Sequence, residues 1–182
     1  MPEKLSTTSY AILGLLTFGE MSGYDVLKLV ERSIGHFWSP AKSHVYTELR
    51  RLARLGLASE RRVHQEQRPN KRLYALTDEG RRSLKRWLTE GPFEPDQVRS
   101  PFTVRLFFGN LVPKESVVAR IEELRRNAEQ KLAGLRATEA KIEHDEDRFF
   151  PYLTLKAGLA HSEAEIRWAN EALDALKERE DA

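Results

Sequence analysis

The sequence contains no cysteine among its 182 residues. This absence excludes disulfide frameworks, thiolate-bound zinc, iron–sulfur clusters and cysteine nucleophiles, and it is compatible with a reducing cytoplasm. Long apolar runs are also lacking, because the longest, residues 11–16, is interrupted by Gly14 and is far shorter than the ~20 residues that cross a bilayer. No secretory signal pattern follows Met1. We therefore expect a cytoplasmic protein without a membrane span.

Patterns that would indicate catalysis or metal binding are scarce. The sequence has no glycine-rich phosphate loop and no Gly-x-Ser-x-Gly turn, so no nucleophile with a base in reach can be named. None of the five histidines lies four residues from another, which is the spacing that places two imidazoles on one helix face. The segment His144-Asp145-Glu146-Asp147 is more typical of a solvated helix end than of a metal site. We expect no enzymatic activity, no catalytic residues, no metal and no cofactor.

Charge is distributed unevenly along the chain, although the formal net charge is only +2. Residues 1–90 contain 16 basic and 10 acidic side chains, whereas residues 91–182 contain 14 and 18. Nine basic and three acidic side chains fall within residues 41–72 alone. Charge by itself most often means a solvated basic face. This asymmetry also indicates that the front half, residues 1–90, binds a polyanion and that the back half, residues 91–182, has a different function.

Capping patterns predict the first two helices. Ser6 can cap a helix that runs to about Phe18, and apolar residues surround nearly all of this helix, so it needs contacts on several sides. Ser22, followed three residues later by Asp25, forms a capping-box pattern and predicts a second helix that ends near Arg32. Both helices precede the basic segment.

A third helix is predicted from Ser39-Pro40 to about Gly56, since proline is favoured at the first helical position. With a rotation of about 100° per residue, Val45, Leu49 and Leu52 share one face of this helix. The opposite face is polar and cationic. It carries Ser43, Thr47, Arg50 and Arg54, with Tyr46 and Arg51 on the flanks.

Two strands and a fourth helix complete the front half. Residues 58–65 and 71–76 predict a hairpin joined through Arg68-Pro69-Asn70, which gives it a basic tip. Thr77 can then cap a helix that runs to about Leu88. This order of elements is typical of a winged helix-turn-helix, in which the third helix enters the DNA major groove and hairpin cations meet phosphates.

Prolines at positions 92, 95, 101 and 113 separate the two halves, so we expect domains at residues 1–90 and 91–182. In the back half, a helix from Lys114 to about Phe149 and a last helix each carry a seam of apolar residues. Because two helices alone bury little, we expect the first helix of the chain and a second copy to cover these seams. The residues predicted to form this dimer interface are Leu13, Leu16, Ile121, Leu159, Ile166 and Leu173.

Four segments resemble the PadR family of bacterial transcriptional regulators. They are residues 10–16 (YAILGLL), 22–25 (SGYD), 45–57 (VYTELRRLARLGL) and 73–80 (LYALTDEG). The back half is similar to the helical C-terminal domain of virulence-activator-type members. The resemblance implies a mainly helical fold with a small hairpin, made of an N-terminal winged helix-turn-helix and a C-terminal dimerisation domain of two to three helices. It also implies a homodimer, usually a repressor, that binds a pseudo-palindromic operator in double-stranded DNA and is released by a small aromatic or hydrophobic effector.

The resemblance assigns a DNA-backbone contact to Tyr46 and a basic wing to Arg68, Lys71 and Arg72. It also places His44 and Thr47 at positions that vary in the family and would set operator preference. From periodicity alone, the polar face of the third helix is equally typical of an ordinary exposed face, and the wing and the family resemblance favour DNA. The predicted DNA-binding residues are Lys42, Ser43, His44, Tyr46, Thr47, Arg50, Arg51, Arg68, Lys71 and Arg72.

Aromatic residues of the back half are the best candidates for an effector site, because aromatic rings stack on flat ligands. They are Trp168, Tyr152 and Phe107, although core packing is the more frequent role of such residues. The alternative function is a winged-helix module that contacts proteins or binds DNA architecturally without a ligand.

Overall fold

The structure is a computed structural model of the chain, and it describes residues 4–64, 71–92 and 99–179. The chain divides into two compact units, Met1–Pro95 and Asp96–Ala182, each with its own apolar clusters. None of the helices in the described residues is long enough and apolar enough to cross a membrane.

The described residues of the first unit form four α-helices and a three-stranded antiparallel sheet. In chain order they are α1 (Thr7–Leu15), β1 (Met21–Ser22), α2 (Gly23–Arg32), α3 (Lys42–Arg54), β2 (Ala58–Val63), β3 (Lys71–Leu76) and α4 (Asp78–Glu90). A short 3-10 turn, Leu16–Phe18, continues α1 to its predicted end. This element order is that of a winged helix-turn-helix with α3 as the recognition helix and the β2–β3 hairpin as the wing.

Side-chain caps start three of these helices, as predicted. The Ser6 side chain accepts the Ser9 amide and the Ser22 side chain accepts the Asp25 amide, each within a reciprocal capping box. At the start of α4, the Thr77 hydroxyl accepts a backbone amide of the first turn at 3.0 Å. Each cap satisfies an amide that the first turn leaves without a helical partner, and such a cap typically contributes ~1 kcal/mol.

The predicted start of the third helix at Ser39-Pro40 was wrong. α3 begins at Lys42, and its N-cap residue Ala41 has an extended ψ of 141° and makes no side-chain cap. Proline keeps the residue before it out of the helical region, and here the helix starts two residues later than predicted, after Ala41. The first helical bonds therefore run to the Ala41 carbonyl. Gly56, in the left-handed conformation with φ +73°, ends the helix near the predicted residue.

The sheet has the strand order β1-β3-β2, with both pairings antiparallel. The hairpin register runs from Ala58 opposite Leu76 to Val63 opposite Lys71. β1 was not predicted, because a strand of two residues shows no alternation of polar and apolar side chains. The predicted hairpin tip, Arg68-Pro69-Asn70, lies outside the described residues.

One apolar core holds the first unit together. Its most completely buried side chains come from α1, α2 and α3 and are Ile12, Leu13, Val26, Val45, Leu49 and Leu52. Tyr10 of α1 stacks on Trp87 of α4, with ring centroids 4.6 Å apart. Helices of the same unit therefore cover most of the apolar surface around α1. They provide the contacts on several sides that were predicted for this helix.

The described residues of the second unit form three α-helices, α5 (Pro101–Phe107), α6 (Lys114–Ile142) and α7 (Phe149–Glu178). α5 was not predicted, although Ser100 caps it and proline occupies its first position. The predicted helix end at Phe149 was wrong, since α6 ends at Ile142 and Phe149 begins α7. Between them, the Asp145 side chain accepts the Asp147 amide and so offers the backbone a local alternative to the helix.

The apolar seams of α6 and α7 pack on each other within the chain. That the first helix and a second copy also cover these seams stays a prediction. Ile121 of α6 lies in one cluster with Ala169 and Leu173 of α7, and Leu135 lies in another with Leu159. Among the residues predicted for the dimer interface, Ile166 is half-buried, and those buried in their own unit are Leu13, Leu16, Ile121, Leu159 and Leu173.

Candidate nucleic-acid interface

The exposed face of α3 carries most of the side chains that were predicted to meet DNA. Val45, Leu49 and Leu52 are fully buried, and this burial directs the opposite face of the helix toward solvent. Arg50 Nε donates to the Tyr46 carbonyl at 3.2 Å, which holds the guanidinium along the helix surface. The face combines groups that can meet base edges with cations that can meet phosphates. Its exposed residues from the predicted set are Lys42, Ser43, His44, Tyr46, Thr47 and Arg50.

The Tyr46 ring lies against the first residue of α2. A Cβ atom at Gly23 would come within 2.3 Å of this ring, so a larger residue there would force the ring to move. Tyr46 is nevertheless 42% exposed, which means that the ring packs on the backbone and still presents surface to solvent. The contact joins the two helices of the helix-turn-helix at a side chain that was predicted to contact the DNA backbone.

The cations in the described part of the wing are ion-paired. Lys71 Nζ lies 3.0 Å from an Asp25 carboxylate oxygen, and an Arg72 guanidinium nitrogen lies 3.1 Å from a Glu60 oxygen. Both pairs are partly exposed, and such pairs contribute little to stability, so a phosphate can compete for these cations. Arg68, the third predicted wing cation, lies outside the described residues.

Two acidic side chains on either side of β1 contact the strands of the wing. The Ser22 hydroxyl and amide, and after them Lys71, hold the pKa of the Asp25 carboxyl below its ordinary value. Glu20 accepts from Arg61 of β2, with Arg61 Nε 3.2 Å from Glu20 Oε1, and this hydrogen bonding lowers the pKa of Glu20. Both carboxylates are therefore charged at neutral pH; Asp25 connects α2 to β3, and Glu20, which precedes β1, contacts β2.

Arg51 was predicted to bind DNA, and in the structure its guanidinium contacts other residues of the first unit. One guanidinium nitrogen donates to Glu48 Oε1 at 2.7 Å, and another donates to the Lys4 carbonyl at 3.1 Å. The Arg51 side chain is only 18% exposed, and Glu48 is buried. A guanidinium that neutralises a buried carboxylate cannot leave for a phosphate without stranding that charge.

The aromatic residues predicted to form an effector site do not come together. Trp168 and Tyr152 lie 16 residues apart on the continuous helix α7, which separates them by about 24 Å along the helix axis. Trp168 packs edge-on against Phe102, whereas Phe107 of α5 is 80% exposed and contacts Phe108. These three predicted residues therefore do not line one pocket.

Sequence reasoning missed three residues that shape this site, namely Gly23, Ser9 and Glu48. The spacing of Glu48 and Arg51, three residues apart on one helix, is a signal for their ion pair. No pattern connects Ser9 with α3, because it lies 39 residues before Glu48. Across residues 4–64, 71–92 and 99–179, no group of histidine, aspartate and glutamate side chains could hold a metal ion.

Matches to two protein families cover most of the chain. Residues 12–86 match the transcriptional regulator PadR-like family, and residues 98–177 match the family described as virulence activator alpha C-term. The chain belongs to the PadR family of transcriptional regulators. This membership confirms the resemblance seen in the sequence, including a C-terminal region of the virulence-activator type.

PadR relatives are similar to the chain over nearly their whole length. The negative transcriptional regulator PadR of Bacillus subtilis is 29% identical over 171 residues, which cover 90% of this chain and 94% of the relative. The crystal structure of Bacillus subtilis PadR in complex with operator DNA has a TM-score of 0.81 at 28% identity and covers 94% of this chain and 99% of that chain. The crystal structure of the same protein in complex with p-coumaric acid has a TM-score of 0.75 at 27% identity, with coverage of 94% and 99%. These similarities confirm the predicted fold class.

Proposed function

We propose that this PadR-family regulator represses transcription by binding a pseudo-palindromic operator as a homodimer, and that a small aromatic effector releases it. The observation that carries the DNA-binding part is the exposed polar face of α3, which the buried face holds in place. Repression and release are supported by Bacillus subtilis PadR, a negative regulator whose crystal structures include complexes with operator DNA and with p-coumaric acid.

Contacts of α3 with DNA divide into two kinds. The helix has 13 residues and spans about 20 Å, and the major groove is roughly 12 Å wide, so it admits this helix. Ser43, Thr47 and Arg50 offer hydrogen-bonding groups to base edges, whereas Lys42 and Tyr46 contact the backbone. The wing cations add phosphate contacts whose strength does not depend on the base sequence.

The Arg50→Ala and Lys71→Ala variants should separate specific from sequence-independent binding. Arg50→Ala is expected to weaken operator binding by about 1 to 3 kcal/mol and to relax preference at one base position, because arginine pairs with guanine in the major groove. Lys71→Ala is expected to weaken all duplexes alike and to reduce the salt slope by about one counterion. Fluorescence titrations with the DNA upstream of the protein's own gene and with a scrambled duplex, at several salt concentrations, measure both effects. The division is wrong if Arg50→Ala leaves operator preference unchanged while Lys71→Ala alters it.

Dimer formation is supported by apolar side chains that the second unit leaves exposed. Phe107 and Leu111, in and after α5, are 80% and 74% exposed, and Phe150 of α7 is 75% exposed. A second copy would bury such exposed apolar side chains, and recognition of two half-sites needs two copies related by a two-fold axis. Sedimentation velocity should give twice the chain mass of 21.0 kDa at micromolar concentration. A stable monomer under these conditions would remove the homodimer from the proposal.

Release by an effector is tested on the operator complex itself. Addition of p-coumaric acid, the compound found with Bacillus subtilis PadR, is expected to lower operator affinity, whereas acetate at the same concentration is not. An architectural module would instead bind all duplexes alike and would respond to neither compound.

A further inference from the structure

A charged side chain is buried at the flank of the recognition helix. Glu48 of α3 is 4% exposed, and Ser9 of α1, which lies beside it, is 0% exposed. A buried carboxylate is tolerated only when it is paired and hydrogen-bonded, because water no longer stabilises its charge. A glutamate cannot attract phosphates, so Glu48 does not serve as a direct contact to the DNA backbone. Its role has to be sought in the partners that it binds inside the first unit.

The partners of Glu48 connect three parts of the first unit. The Ser9 hydroxyl donates to Glu48 Oε1. Arg51, one turn further along α3, donates to the same oxygen at 2.7 Å. The other terminal nitrogen of the Arg51 guanidinium donates to the Lys4 carbonyl, 3.1 Å away, in the segment that precedes α1. The network therefore joins α3, α1 and the chain just before α1.

Directional bonds fix what apolar packing leaves adjustable. Val45, Leu49 and Leu52 bury one face of α3, but apolar contacts are non-directional, so they restrain the rotation of the helix about its axis less sharply than hydrogen bonds do. A hydrogen bond weakens steeply when its geometry is lost. The Ser9–Glu48–Arg51 network lies beside the face that carries Thr47, and it therefore sets the rotation of α3 against α1.

We propose that Arg51, acting through Glu48 and Ser9, is a positioning residue for DNA recognition and does not itself contact DNA. It holds α3 at the rotation in which Ser43, Thr47 and Arg50 reach their base edges together. This inference rests on the proposed operator binding through α3. It replaces the direct contact that the sequence predicted for Arg51.

The Glu48→Gln variant distinguishes positioning from direct contact by the sign of its effect. If Arg51 positions α3, loss of the carboxylate loosens the helix, and operator affinity should fall by about tenfold, within the range of coupling seen in connected polar networks. Affinity for a scrambled duplex should change less than about twofold, because phosphate contacts tolerate small rotations. If Arg51 binds phosphate directly, Glu48→Gln releases its guanidinium and removes a negative charge, so operator affinity should stay equal or rise. That result overturns the proposal.

Arg51→Lys provides a second and milder test. Lysine is a good phosphate ligand, but it cannot bind Glu48 and the Lys4 carbonyl with the planar fork of arginine. Positioning therefore predicts that Arg51→Lys lowers operator affinity and leaves the salt slope unchanged. It also predicts that the double variant, Arg51→Lys with Glu48→Gln, binds the operator with nearly the same affinity as either single variant. Retention of wild-type operator affinity by Arg51→Lys would contradict the proposal, and this variant decides the question if Glu48→Gln does not fold.

Two controls keep the outcomes separate. If the Glu48–Arg51 pair served stability alone, Glu48→Gln would lower the melting temperature, but the ratio of operator affinity to scrambled-duplex affinity would stay unchanged in the folded protein. That result would also overturn the proposal. Lys42→Ala, an exposed cation on the same helix, should reduce the salt slope by about one counterion whatever Arg51 does. If the wild type itself shows no preference for the operator over the scrambled duplex, the proposed function fails, whereas normal wild-type binding with an unaffected Glu48→Gln variant removes only the positioning role.

Discussion

The Leu173→Asp variant is expected to lose the packed pair of helices in the second unit. Leu173 is 7% exposed and lies in one apolar cluster with Ile121 and Ala169. An aspartate there would place a charge without a partner between α6 and α7, and such a change typically destabilises by 3 kcal/mol or more, about as much as losing half of a buried ion pair. Hydrogen exchange of peptides from α7 should show loss of protection, and circular dichroism should show a lower melting temperature.

The matched control for this change is Leu153→Asp on the same helix. Leu153 is 47% exposed, so the same new charge remains hydrated and should shift stability by less than about 0.5 kcal/mol. Equal loss of protection in both variants would mean that the charge acts through something other than burial. A Leu173→Asp chain that stays fully helical but becomes monomeric would place Leu173 at the dimer interface after all.

The Gly80→Ala variant is expected to destabilise the first unit by about 3 kcal/mol, the upper end of what overpacking usually causes. A Cβ atom at this position would lie 2.0 Å from the Leu57 carbonyl oxygen. That oxygen is backbone and also accepts the Thr77 amide, so it cannot move aside as a flexible side chain would. The first turn of α4 must shift instead, which weakens the Thr77 cap. Urea denaturation followed by far-UV circular dichroism gives the change in unfolding free energy.

Gly14→Ala in α1 serves as the comparison for Gly80→Ala. A Cβ atom at Gly14 meets nothing within 4 Å, so alanine should be tolerated there and should raise stability by about 0.5 to 1 kcal/mol through its better helix propensity. Similar losses from both substitutions would show that the close approach to Leu57 is not what makes glycine necessary at position 80.

Features that depend on neighbouring residues could be predicted from the sequence. The caps at Ser6, Ser22 and Thr77 act on amides within three residues, so their patterns are visible in the chain, and the hairpin pairing follows from its alternating side chains. The exposed and buried faces of α3 also follow from helix periodicity. These local signals, together with the family resemblance, predict the winged helix-turn-helix and most of the polar face of α3.

Features decided by distant residues could not be predicted in the same way. The direction of the Arg51 side chain depends on Ser9 and on the Lys4 carbonyl, which lies 47 residues earlier. The periodicity of α6 and α7 shows that each seam needs a partner without showing which one, so their packing on each other is visible only in the structure. α5 does not follow from the sequence pattern because proline usually breaks a helix, whereas Pro101 stands at the helix start, where proline is tolerated.

The contact between Tyr46 and Gly23 has a consequence for the entropy of DNA binding. An exposed tyrosine normally samples several rotamers, and immobilising a side chain at an interface costs about 0.5 to 1.5 kcal/mol. Because the backbone at Gly23 already restrains the Tyr46 ring, little of this ordering remains to be done when DNA arrives. If Tyr46 contacts the DNA backbone as proposed, sequence changes at the start of α2 would thus alter the affinity for any duplex. The choice of operator, proposed to rest on Ser43, Thr47 and Arg50, would stay the same.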